Sequence, residues 1–198
     1  QVISSKCVDN KKRQTLFFSE LYIIQKMFAR DEMDRVWAPW RMEYISSTTE
    51  KGEKKCFLCV NSAEDEKMLV VGRKGKAFVI MNRYPYTNGH IMVVPVRHTG
   101  LLEGLTDEET FDMMSLVKIM TKIYKETFNI DGLNIGINVG RAAGAGLEEH
   151  IHIHMVPRWF GDVNFMSVIG ETRVISEHIG ATYQKLKHNF EVFIKNLT

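Results

Sequence analysis

The sequence predicts an α+β domain: an antiparallel sheet of about five strands, near the usual sheet size, with a long helix and a second helix at the C-terminus. Three observations carry this. Short apolar runs bounded by turn residues recur at 77–83 (AFVIMNR), 90–96 (HIMVVPV) and 133–139 (LNIGINV). Thr106, with Glu109 three residues on, forms a capping box that opens a helical pattern. Residues 172–196 carry a second helical pattern, with Gly180 as a candidate break.

In chain order, residues 1–33 read as a separate extension. A basic segment is followed by Leu16, Phe17, Leu21, Ile24 and Phe28, which share one helix face. Either an amphipathic helix packs on the body or the stretch is an added extension; Met27 and Met33 both serve as candidate starts. Residues 34–198 read as one domain. RVWAPWRMEYI (35–45) is aromatic and interrupted by proline, so it reads as irregular, and the polar 46–55 follows as a linker. Strands at 77–83 and 90–96 flank the turn PYTNG, which predicts an antiparallel pair joined by a tight connection. The helix from 106 runs through Phe111, Met114, Val117, Ile119 and Tyr124 to about residue 128. GRAAGAG (140–146) is a Gly/Ala loop leading into a fourth strand.

Composition narrows the function classes. The 198 residues hold 26 Lys and Arg against 24 Asp and Glu, a net charge of +2, so there is no global electrostatic case for binding nucleic acid. No apolar run reaches the roughly 18 residues of a membrane helix, and TLFFSELYII (15–24) is interrupted by Glu20. Three cysteines are too few and too odd in number for a disulfide framework, which favours a reducing, cytoplasmic setting.

The fourth strand, HIHIHMV (150–156), holds the chemistry. Side chains of a strand alternate between faces, so His150, His152 and His154 share one face while Ile151, Ile153 and Met155 share the other. Solvated imidazoles on a polar face, or a simple metal site, are the plain alternatives. The Gly/Ala loop adds weight, because backbone N–H groups of Ala143, Gly144, Ala145 and Gly146 can approach phosphate oxygens closely. A neutral imidazole beside such a cradle can attack phosphorus.

HIHIHMV, NGHIMVVPVRH and INVG together resemble the histidine triad (HIT) superfamily of nucleotide hydrolases and transferases, over roughly residues 56–159. WAPWRMEYI and the loop-to-triad segment resemble its bacterial diadenosine tetraphosphate phosphorylase-like branch. The resemblance implies a HIT-like fold, a homodimer, and a dinucleoside polyphosphate substrate. It implies His152 as the nucleophile that forms a nucleotidyl-histidine, with His154 and His90 supporting the phosphate or the catalytic ring and Asn138 on the phosphate side. By residue type alone, His90 is a turn histidine at a strand start. Relatives with a Gln and a Ser or Thr before the triad are matched here by Gly146 and Leu147. That departure disfavours a simple purine phosphoramidase, which stays as the rival enzyme; a zinc-stabilised nucleotide-binding module with little turnover is the rival outside catalysis.

Cys56 and Cys59 have C-x-x-C spacing but need two more ligands for tetrahedral zinc. The resemblance supplies His98 and His150, making a structural zinc site. A redox pair or two buried thiols are the alternatives. For the nucleoside, Phe78 and Ile80 are candidate walls or ordinary core, and Asn82 a candidate ribose contact. Arg158 is a candidate for a distal phosphate and Trp159 for a second base, or each for surface packing. Trp37, Trp40 and Arg41 raise the same choice.

Overall fold

The computed structural model describes residues 56–162 and 175–196. The expectations for residues 1–33, for Trp37, Trp40 and Arg41, and for the start of the C-terminal helix at 172 lie outside the described residues.

A 3-10 turn at Ser62–Glu64 and a short helix α1 (Asp65–Met68) lead into β1 (Val70–Lys74) and β2 (Ala77–Met81). β3 (Ile91–Pro95), α2 (Asp107–Phe128), β4 (Gly132–Ile137), β5 (Ile153–Arg158) and α3 (Ile179–Lys195) follow. The strands form one sheet in the order β1-β2-β3-β5-β4, and every neighbouring pair is antiparallel. β1, VVGRK, was not foreseen: its five residues alternate too briefly to show a period. The β2–β3 connection spans residues 82–90, longer than the tight turn expected.

The pleat divides the apolar residues between two clusters. On one face Val71, Val79, Met81, Ile91, Val93, Ile153 and Met155 meet α2 and α3. On the other, Phe78, Ile80, Met92 and Val94 pack with Leu58. Met92 lies opposite His154 in the β3–β5 register, so the histidines belong to this second face, away from the helices.

Helix α2 starts where its capping box predicts. Thr106 Oγ1 accepts from the Glu109 amide, and Glu109 Oε2 accepts from the Thr106 amide. Such a cap contributes about 1 kcal/mol. The inward stripe is Met113, Leu116, Val117, Met120, Ile123 and Tyr124. Phe111 and Met114, which continue the pattern in sequence, fall outside it, Phe111 being 69% exposed. Gly180 does not break α3; the helix begins beside it, with His178 as the cap accepting from the Gly180 amide.

Candidate active site and metal-binding cluster

β5 begins at Ile153, so only His154 lies inside the regular strand, while His150 and His152 sit on the extended segment leading into it. Burial does not alternate along it, since His150 and His152 are buried and His154 half-buried. Ile151, Ile153 and Met155 are buried, the last two in the helix-side cluster. The rings of His152 and His154 lie 4.7 Å apart, edge to face.

Hydrogen bonds determine which nitrogen of each ring carries the proton. His152 Nδ1 lies 2.9 Å from the His150 carbonyl oxygen. A carbonyl only accepts, so Nδ1 carries the hydrogen and Nε2 keeps a lone pair. The Tyr86 amide donates to His90 Nδ1 at 3.1 Å, so the proton of His90 sits on Nε2. That Nε2–H donates to His154 Nδ1 at 3.0 Å, which leaves the His154 proton on its own Nε2. Burial, assisted by the nearby His154 and His152, pushes His90 down to about 3. Burial followed by the His152 field brings His154 to about 4. Burial also lowers His152, outweighing its bond to the His150 carbonyl. All three rings are therefore neutral near pH 7, the state in which an imidazole is a nucleophile.

The loop that delivers His90 is pinned at three points. Tyr124, fully buried in α2, donates its hydroxyl to the Gly89 carbonyl. Thr87 Oγ1 donates to the Pro157 carbonyl at 2.9 Å, and Thr182 Oγ1 in α3 lies 3.1 Å from Asn88 Oδ1. Gly89 has φ +75°, a left-handed conformation that glycine adopts without strain.

At the other end of the row stands a second cluster. Ligand atoms of Cys56, Cys59, His98 and His150 all lie within 4.8 Å of one another, so the four can hold a metal ion. His150 Nε2 donates to the Pro95 carbonyl at 2.9 Å, which turns the unprotonated Nδ1 toward the thiols. Fixing a ligand ring through its other N–H is the usual outer support of a metal site. His98 reaches the cluster because its strand exit runs beside the triad segment. The Ile151 amide donates to the Thr99 carbonyl at 2.7 Å, and a Cβ on Gly100 would stand 2.2 Å from the Glu148 carbonyl oxygen. Arg97, beside His98, is clamped to Glu109 at 2.8 and 2.7 Å.

The remaining predicted site residues are distributed as follows. Asn82 faces His90, its Nδ2 3.3 Å from Nδ1, and its Oδ1 accepts from the Tyr84 amide. Phe78 is buried in the second core cluster, with the Arg73 guanidinium 4.8 Å from its ring centre. Asn138 Nδ2 reaches the Gly144 carbonyl at 3.5 Å. The amides of Ala143, Gly144 and Ala145 donate to Gly140, Arg141 and Gly140 within the loop's own turn. In this conformation those three N–H groups are spent internally. Arg158 is held by both carboxylate oxygens of Asp162 and by Asn134. The Trp159 indole donates to the Phe128 carbonyl. Tyr86 escaped the sequence reading: a tyrosine in a turn has no pattern to mark it, and only the fold brings its ring to 4.6 Å from His90.

Residues 63–161 match the HIT domain family model. This chain belongs to the histidine triad (HIT) family. Over 164 residues it is 37% identical to an AP-4-A phosphorylase of Mycobacterium tuberculosis, covering 79% of this chain and 84% of that protein. A bis(5'-adenosyl)-triphosphatase of Dictyostelium discoideum is 35% identical over 82 residues, 41% of this chain and 54% of that one. Among solved structures, a zinc-bound histidine triad family protein of Mycobacterium smegmatis superposes with a TM-score of 0.59 at 26% identity, covering 73% of this chain and 99% of that one. The HIT fold therefore accounts for the five-stranded sheet and its flanking helices, and the chain is an enzyme of a nucleotide-processing family.

Proposed function

We propose that this chain cleaves dinucleoside polyphosphates of the diadenosine tetraphosphate type through a covalent nucleotidyl-histidine on His152. The observation that carries the reading is the bond from His152 Nδ1–H to the His150 carbonyl, which aims a neutral Nε2 lone pair away from the backbone. In the first step Nε2 attacks the α-phosphorus, a P–N bond forms, and the bond from phosphorus to the bridging oxygen breaks. His154 Nε2–H donates a hydrogen bond to the departing oxygen, which leaves as an ionised phosphate oxygen and takes no proton, and His90, donating to His154 Nδ1, holds the ring in that tautomer. In the second step water, releasing its proton to solvent, or inorganic phosphate as its anion attacks the same phosphorus, the P–N bond breaks, and neutral His152 is restored. Asn138, Asn82, Arg158, Trp159 and the 143–146 loop are the candidate nucleotide and phosphate contacts, while Phe78 is buried beneath Leu58 and lines no open surface. For the loop amides this requires the 140–145 turn to open on binding.

Zinc is the metal the cluster fits. Bonds of about 2.3 Å to sulfur and about 2.05 Å to nitrogen in a tetrahedron set S···N near 3.6 Å and N···N near 3.3 Å. Three of the four S···N distances are 3.4, 3.3 and 3.7 Å, and His98 Nδ1 to His150 Nδ1 is 3.4 Å. When bound, zinc would cross-link residues 56–59 to the triad segment and leave the transfer step to the histidines. The similarity to a zinc-bound relative supports this choice, and the reduced thiols it needs fit a cytoplasmic setting. A homodimer fits β4, an edge strand in which Ile135 is 47% exposed. Residues 34–198 are then the catalytic domain and 1–33 an extension to it.

The test is cleavage of diadenosine tetraphosphate by wild type and His152→Ala, with and without inorganic phosphate. ADP plus ATP formed only with phosphate, and lost in the variant, marks a phosphorylase. AMP released without phosphate marks a hydrolase. No turnover by wild type under either condition refutes the substrate and favours a phosphoramidase or a binding module.

A further inference from the structure

The sequence names Phe78, Ile80 and Trp159 as the groups that would face a nucleobase. The fold buries the first two. Phe78 and Ile80 are core residues beneath Leu58, and the Trp159 indole N–H is bound to Phe128. One aromatic ring among the described residues does lie against the catalytic histidines. The Tyr86 ring centre is 4.6 Å from that of His90, tilted by 32°, and 6.0 Å from that of His154. Tyr86 is 49% exposed, so its ring borders the site while half its surface meets solvent.

The ring is also held in place. The Tyr86 amide donates to His90 Nδ1, which ties its Cα to a fully buried side chain. The next three residues are pinned through Thr87, Asn88 and Gly89 to Pro157, Thr182 and Tyr124. A rigid, half-exposed aromatic surface beside a phosphoryl-transfer centre suits one kind of ligand group: a planar, π-rich ring at the end of a phosphate.

We infer that Tyr86 is a specificity-determining residue that stacks on the nucleobase of the bound nucleotide. This rests on the nucleotide reading above and adds the residue that recognises the base. Stacking of a base on an aromatic side chain is sequence-tolerant, so Tyr86 would favour nucleotides over sugar phosphates without choosing strongly among bases.

The experiment compares binding of AMP and ribose 5-phosphate, which share the phosphate and sugar and differ by the base. Calorimetric titration of metal-loaded wild type, Tyr86→Ala, Tyr86→Leu and Tyr86→Phe gives the affinity ratio for each. Stacking predicts that Tyr86→Ala and Tyr86→Leu reduce the AMP preference by roughly ten- to hundredfold, with ribose 5-phosphate unchanged and Tyr86→Phe close to wild type. If Tyr86 only braces His90, AMP and ribose 5-phosphate weaken together and the ratio stays constant; that result overturns the inference. Equal loss in Tyr86→Phe and Tyr86→Ala also overturns it, since the phenol oxygen would then be the active group. Failure of wild type to bind AMP would instead refute the nucleotide reading on which the inference stands. Thermal unfolding of each variant checks that altered ratios come from folded protein.

Discussion

His150 and His152 are the same residue type two positions apart on one extended segment, yet they present opposite nitrogens. His150 gives its Nε2–H to the Pro95 carbonyl and turns Nδ1 toward Cys56, Cys59 and His98. His152 gives its Nδ1–H to the His150 carbonyl and turns Nε2 outward. A metal ligand and a phosphorus nucleophile both need a neutral, unprotonated nitrogen. What separates the two proposed roles is the carbonyl that captures the other nitrogen. The backbone at residue 150 thus serves both ends of the row, since its side chain belongs to the metal cluster and its oxygen sets the tautomer of His152.

The sharpest way to break this comparison is to remove each ring in turn. His152→Ala should abolish a labelled nucleotide adduct in acid-quenched reactions and lower turnover by roughly three orders of magnitude or more. An adduct persisting at full yield in that variant would place the nucleophile elsewhere and end the comparison. At the other end, His98→Ala should weaken zinc binding by roughly a hundredfold or more and lower the thermal midpoint, because a structural zinc contributes folding energy outright. Metal content by chelator competition, read beside adduct formation, is the check. The adduct should survive in His98→Ala at reduced rate; complete loss would mean that the two ends cannot be separated.

Acid should act on the catalytic end. His90 and His154 stay neutral in the folded protein down to about 3 and about 4, while unfolded histidine takes its proton near 6.5. Below about 6.5 the unfolded chain therefore binds more protons, and stability falls as the pH is lowered. Urea midpoints of metal-loaded protein should hold from pH 7.5 to about 6.5 and then fall toward pH 5. A flat profile would mean that these rings are not buried as described.

The smallest effect belongs to the loop behind His90. Tyr124→Phe leaves the Gly89 carbonyl without its donor and should cost about 1–2 kcal/mol by urea unfolding. A neutral result would show that the loop is held by its other two anchors.

Much of this was legible in the residues. The capping box placed the start of α2 to the residue, because the cap is a contact between neighbours three apart. The period-two histidines announced a common face, and the cysteine pair with two histidines could be grouped through the resemblance. β1 itself was not legible, nor was the outward turn of Phe111 and Met114, because the inward stripe of α2 depends on where the sheet lies. The fate of Phe78 was equally hidden: apolar alternation marks a buried face without saying whether Leu58 or a nucleoside covers it.

The sequence by itself determined the types of β2 to β5, α2 and α3 and the shared face of the three imidazoles, which follow from local periodicity, while the four metal donors came together only through the family resemblance. Only the tertiary structure decided which nitrogen each ring presents, that the loop amides at 143–145 are spent within their own turn, and that Tyr86 stands beside His90. The physical reason is sequence distance. His150 takes its hydrogen bond from a carbonyl 55 residues away, and His90 meets His154 across 64; no local pattern specifies a partner that the folded sheet alone brings near.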